Sequence, residues 1–148
     1  MKSIFDPGTE NELIARIHAL TPESKALWGK MNVFQMVKHC TLCEDMYLGN
    51  MPVKRAFIGR LLGRFVLKQV LKDEKPFSRN SPTSPLLNTS GESGDFAAQK
   101  EEWISRIKQY RQFNRQDFVH PFFGPLTKEQ VGLLDYKHID HHLRQFGA

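Results

Sequence analysis

Asn32-Val33-Phe34-Gln35-Met36-Val37-Lys38-His39-Cys40-Thr41-Leu42-Cys43-Glu44-Asp45-Met46-Tyr47 reads as one long helix. Asn followed three residues later by Gln has the form of a capping box, in which two orphan backbone groups are satisfied reciprocally. Val33, Met36, Val37, Cys40, Cys43 and Tyr47 then recur every three or four residues up to Gly49-Asn50, the spacing of a stripe that faces a core. The same grammar extends in both directions. Upstream, Thr9-Glu10-Asn11-Glu12 predicts a helix carrying Leu13, Ile14 and Ile17 to about Leu20, and Thr21-Pro22-Glu23 predicts a short helix with Pro in its first turn. Downstream, helical spacing runs from about Val53 to Asp73. Asp95 predicts a cap for a helix to about Asn114 with Phe96, Trp103, Ile107 and Tyr110 inward, and Thr127 to Gln130 opens a last helix ending at Gly147.

Between these lies the stretch Lys75–Asp95, with three prolines, five serines, two asparagines and two glycines, which predicts a long loop suited to wall a site. His120-Pro121-Phe122-Phe123-Gly124-Pro125 is too rich in Pro and Gly for regular structure, strand alternation is nowhere sustained, and no internal repeat occurs. The expectation is one all-α domain over residues 1–148, a bundle of four long helices plus one short helix and a loop over about 75–95.

Composition narrows the function classes. With 148 residues, 40% hydrophobic, 25% charged and eleven phenylalanines, the chain can bury a real core, and two cysteines cannot make a disulfide scaffold. The net charge of +5 favours anionic partners weakly. Ala56 to Leu71, the most apolar stretch, is too short to span a bilayer and is interrupted by Arg60, Arg64 and Lys68, so no membrane insertion is expected. We read it as a packed helix with one wet basic face, against the alternative of a helix lying on a membrane surface. The first eight residues lack a secretory apolar core, which points to a cytoplasmic protein. The basic-aromatic run Arg106 to Arg115 raises nucleic-acid binding, but Ile107 and Tyr110 fall on the apolar stripe with Trp103, and no nucleic-acid partner is expected.

Histidines carry the chemistry. His138 and His142 leave one helix face a turn apart, about 5–6 Å between Cβ atoms, so that two imidazoles can meet one ion. Such pairs also arise by chance, and a third ligand from another helix would have to complete a site with open positions. His39, mid-helix beside the apolar seam, is the candidate, against the bland alternative of a core-edge histidine bonded to a carbonyl. His141 is rotated about 100° from His142 and is left out. Cys40 and Cys43 form a C-x-x-C in mid-helix, where no dipole depresses a thiol's pKa, so a redox role is discounted; Cys43 remains a possible odd ligand. Asp135 and Glu44 are candidate bases or imidazole-orienting partners, with Glu44 taken as a solvated charge, and Asp140 with Arg144 as an exposed i, i+4 ion pair.

Trp28-Gly29-Lys30-Met31-Asn32-Val33-Phe34-Gln35-Met36-Val37-Lys38-His39 resembles the first metal-histidine segment of the DinB-like four-helix-bundle superfamily. Tyr136-Lys137-His138-Ile139-Asp140-His141-His142-Leu143-Arg144-Gln145-Phe146 resembles its paired-histidine segment. The resemblance runs from about residue 9 to 147, although the middle third of the chain does not share it. It implies an up-down-down-up bundle, a homodimer, and a divalent metal (zinc, nickel or iron) held by His39, His138 and His142. Some relatives use a low-molecular-weight thiol such as bacillithiol, mycothiol or glutathione in transfer reactions on a small-molecule substrate. Many members follow the second paired His with Arg-Gly-Gln, where this chain has Leu143-Arg144-Gln145, so no role is carried over to Arg144. The expected function is a metal- and thiol-dependent transferase. The alternatives are a metal-dependent hydrolase and a non-catalytic binding bundle, and no catalytic residue is assigned.

Overall fold

Capping chemistry sets most of the helix starts in the computed structural model, which describes residues 1–148. Helix α2 (Val33–Leu48) opens on the expected box: the Asn32 side chain accepts from the Gln35 N–H at 2.9 Å, and the Gln35 side chain accepts from the Asn32 N–H at 3.0 Å. It ends at Gly49, whose φ of 86° is the left-handed conformation glycine adopts without strain. Helix α5 (Lys128–Gln145) opens on the same device at Thr127 and Gln130. Asp95 caps α4 (Phe96–Gln109) through the Ala98 N–H, and a single 3-10 turn, Tyr110–Gln112, extends it.

Three local expectations are corrected. Helix α1 (Pro7–Ala19) starts earlier than Thr9, because Pro7 occupies the first helical position and Asp6 precedes it; the Thr9 hydroxyl instead donates to Asp6 Oδ2 at 2.9 Å. No helix starts at Pro22. Ser24 closes that segment as a turn, donating its N–H to the Thr21 carbonyl and accepting from the Thr21 N–H with its hydroxyl. The segment after His120 is not irregular but a minimal antiparallel hairpin, β1 (Val119–His120) with β2 (Gly124–Pro125), in register Val119 to Pro125 and His120 to Gly124. The His120 ring makes that turn possible. Its Nδ1 accepts from the Phe122 and Phe123 N–H groups, both at 3.1 Å, satisfying backbone donors the turn would otherwise orphan.

Five helices and little strand make the chain all-α. Helix α4 packs on α2 and α1, and α5 packs on α1 and α2. Their inward residues, among them Leu13, Ile17, Met36, Trp103, Ile107 and Leu143, form one continuous core. The loop over 75–95 holds a 3-10 turn at Pro85–Leu87.

Helix α3 (Phe57–Val70) joins that core only at its C-terminal end, through Leu67 with Val70 against it, and otherwise corrects the packed-helix expectation. It seats on the hairpin through Gly59 and Gly63, where an added Cβ would collide with the Phe122 carbonyl. Two glycines four residues apart thus let the helix approach the turn closely. Val70 O and Asp73 O, at and beyond its C-terminus, accept from the Lys137 ammonium of α5 at 2.6 and 2.7 Å. Because the glycines face inward, the apolar residues face solvent: Phe57 is 75% exposed, Leu61 67% and Phe65 65%. No helix is long and apolar enough to cross a membrane.

Gly63→Val should push α3 off the hairpin at a cost of about 1–3 kcal/mol. Thermal unfolding and protease cleavage within residues 56–72 read this out, and an unchanged midpoint with an unchanged digest would refute the seat. Burial, with a smaller contribution from Arg55, pushes the His120 pKa down to about 4. A folded-state value below the unfolded ~6.5 means that the unfolded chain takes up the proton first. Stability is therefore full above about 6.5 and falls as pH drops toward 4, by on the order of 3 kcal/mol from this residue. His120→Asn, which keeps an acceptor without a titrating ring, should flatten the stability profile of the apoprotein in that window. Identical profiles for the two proteins would count against it.

Candidate metal centre

Two helices bring three imidazoles together at one end of the core. His39 projects from α2 and His138 and His142 from α5, with ring centroids 5.1 Å (39 to 138), 4.9 Å (39 to 142) and 4.6 Å (138 to 142) apart. One ligand atom from each lies within 4.8 Å of the other two. Nε2 of His39 and Nε2 of His138 are 3.1 Å apart. Two nitrogens bound to a shared ion at about 2.0–2.1 Å would be separated by about 2.9–3.4 Å at octahedral or tetrahedral angles, so the spacing fits cis ligands.

The surroundings fix which nitrogen faces inward. His39 Nδ1 lies 2.8 Å from the Leu87 carbonyl, which can only accept, so Nδ1 carries the proton and Nε2 presents its lone pair. His142 Nδ1 lies 2.9 Å from Gln145 Oε1, and the Gln145 amide nitrogen donates to the Trp28 carbonyl at 2.8 Å; the amide is thereby oriented with its oxygen toward the ring. His142 Nε2 also presents a lone pair. His138 Nδ1 is buried with no hydrogen-bond partner. Burial is the main cause that lowers all three pKa values, followed by mutual repulsion at His138 and His142, with His142 pushed down to about 3. Three neutral imidazoles, two with an Nε2 lone pair turned inward and the third, His138, placing its Nε2 beside that of His39, form a donor set suited to a divalent cation.

His39 and His142 are buried, and His138 is the least buried of the three, although its Nδ1 is enclosed. The loop expected to wall the site does cover it. Besides Leu87, Thr89 donates its hydroxyl to the Gln35 carbonyl at 2.9 Å, Glu92 pairs with Lys38, Phe77 lies against His141 and Arg79 stacks on Trp28. A concavity of about 520 Å³ lies elsewhere, lined by Met46, Met51, Val53, Arg115 and Phe118 among others.

Other expectations resolve differently. His141 touches His142 and Trp28 edge-on and stays out of the cluster. Cys43 is not part of it either; both thiols are buried, free and held protonated, since burial and the nearby Glu44 carboxyl push their pKa values up. Glu44 is not solvated. It is fully buried, accepting from Trp103 Nε1 at 3.2 Å and from the Tyr110 hydroxyl at 2.7 Å, and burial pushes its pKa up to about 7 despite those bonds. Asp135 is buried beside it with no hydrogen-bond donor to either oxygen, so burial and then Glu44 raise its pKa well above the usual range. Neither carboxyl hydrogen-bonds a cluster histidine. Asp140 is likewise buried, holding Arg144 at 2.7 Å and Arg16 of α1 at 2.9 Å. Gln145 went unnoticed in the sequence although it follows His142 by three residues, a spacing that places the two on one face. The Leu87 carbonyl had no sequence signal.

The chain is thus a helical protein with a buried three-histidine cluster that can hold a metal ion. It belongs to the family described as "Protein of unknown function (DUF1569)", whose model matches residues 6–148. No curated protein and no solved structure matches it.

Gln145→Leu should free the His142 ring from its tether and weaken zinc or nickel binding by about 10–100-fold, as losses of ring-orienting partners do elsewhere. Calorimetric titration of wild type and variant measures this; equal affinities would show that the tether does not orient the ring.

Proposed function

We propose that this chain is a divalent-metal protein of DinB-like up-down-down-up topology with His39, His138 and His142 as ligands, and that it works on a small-molecule substrate as a low-molecular-weight-thiol S-transferase. The observation that carries the metal is the convergence of ring nitrogens from His39, His138 and His142 within 4.8 Å of one another, with the His39 and His142 Nε2 lone pairs turned inward. Zinc or nickel suits neutral imidazole best, and iron is the third candidate. A divalent ion held there supplies a positive charge that lowers the pKa of a thiol or water at its open positions. Leu87 and Gln145 hold the His39 and His142 rings in the metal-binding tautomer, and the core keeps water from those two rings. The homodimer belongs to the same resemblance-based proposal.

The carboxyls favour a thiol over a hydrolytic route. A carboxylate base near the activated water would assist a hydrolase, whereas Glu44 is committed to Trp103 and Tyr110, and neither it nor Asp135 hydrogen-bonds the cluster. The near-complete burial of His39 and His142 favours a second reading, a non-catalytic metal-stabilised binding bundle.

Metal content by mass spectrometry on untagged protein reloaded with zinc or nickel tests the first step. Wild type should hold about one ion per site, and His39→Ala and His142→Ala should lose it while circular dichroism stays helical. Equal content in all three sinks the metal centre. Reloaded protein should then conjugate an electrophile such as 1-chloro-2,4-dinitrobenzene with a thiol. Bound metal without thiol-dependent turnover across a panel of thiols and electrophiles would leave the binding bundle as the reading, and turnover without thiol would favour the hydrolase.

A further inference from the structure

The outward face of α3 is the least accounted-for surface of the molecule. Phe57, Ile58, Leu61, Leu62 and Phe65 lie side by side on it, each about half exposed or more, although burying such residues ordinarily drives a helix onto its neighbours. The helix is already seated by its opposite, glycine face, so nothing within the chain remains to cover this one.

Charge identifies the occupant. From Met51 to Lys72 the chain carries Lys54, Arg55, Arg60, Arg64, Lys68 and Lys72 and not one Asp or Glu. None of the six takes part in an ion pair, whereas the acidic residues elsewhere are widely paired. The whole chain has a net charge of +5, so this segment holds all of the excess and the remainder is close to neutral. Around the helix, Arg60 and Arg64 flank the apolar ridge, Lys68 continues along it, and Lys72 follows just past its end.

We propose that α3 is an interfacial helix that docks this protein onto anionic lipid bilayers, with its apolar ridge in the headgroup–acyl boundary and its cations on the lipid phosphates and carboxylates. Such a helix lies on the membrane without spanning it. A second copy of the chain is a poor occupant. A two-fold contact sets the same patch against itself, bringing the unpaired cations of two segments together with no acid between them. The proposal rests on the placement of α3 alone and is independent of the metal centre.

The test is co-sedimentation of the full chain with vesicles of phosphatidylcholine alone and of equal parts phosphatidylcholine and phosphatidylserine, in low and high salt. The wild type should partition at least about tenfold more strongly to the anionic vesicles and be released by salt. Arg60→Glu with Lys68→Glu, and separately Leu61→Ser with Phe65→Ser, should each cut partitioning about tenfold; circular dichroism should not change, because all four side chains are exposed. Leu61→Trp should show a blue-shifted emission with anionic vesicles only. Absent or lipid-indifferent binding would overturn the proposal, as would full binding by the double-serine variant. So would a wild-type dimer in sedimentation velocity that the double-serine variant dissociates, combined with no vesicle binding. Binding to polyglutamate but not to vesicles would reassign the face to an acidic polypeptide.

Discussion

Two hydrogen bonds to the outer nitrogens of His39 and His142 govern what the core of this protein can do. The Leu87 carbonyl and the Gln145 amide each take an Nδ1–H and so turn an Nε2 lone pair inward. Without them an imidazole has two tautomers and free rotation about its terminal torsion, and a cluster of three would have no common focus. With them, the three rings share a point that nothing else in the chain fills. The tether is itself tethered: Gln145 is held by the Trp28 carbonyl, and its own carbonyl accepts from the Leu27 N–H. The irregular segment between α1 and α2 is thereby tied to the end of α5.

A second buried polar layer lies in the same core. Glu44, Asp135, Tyr110 and Trp103 place two carboxyls, a phenol and an indole where bundle cores are ordinarily apolar. Two charges there would cost several kcal/mol each. The raised pKa values of both carboxyls reflect that cost, and the hydrogen bonds from Tyr110 and Trp103 offset part of it at Glu44. An isosteric apolar pair would pack as well. One of these acids, Asp135, stands on α5 itself, about one turn before His138.

The parts of the fold that sequence makes legible are the local ones. Asn32 with Gln35, Thr127 with Gln130 and Asp95 mark helix starts because a cap is settled within four residues. The three histidines are legible for the same reason, two by one-turn spacing and one by its place on a stripe. What fails is what depends on a distant partner. The apolar stripe of α3 predicts burial only if another element arrives to cover it, yet the hairpin arrives at the glycines instead, since Phe122 backbone can approach only where no Cβ stands. Glu44 looks solvated until Tyr110 and Trp103, far along the chain, close over it. Leu87 is invisible because its contribution is a carbonyl that every residue possesses.

The loop bond to His39 has a kinetic side. Leu87 belongs to the covering segment, and its carbonyl is also what orients the ring beneath. Lifting the segment therefore uncovers the cluster and disorients one of its three donors in the same event. An ion held between the rings would lose the orientation of one ligand whenever the segment lifts, so the serines, prolines and glycines of residues 75–95 bear on how long it stays as well as on what reaches it.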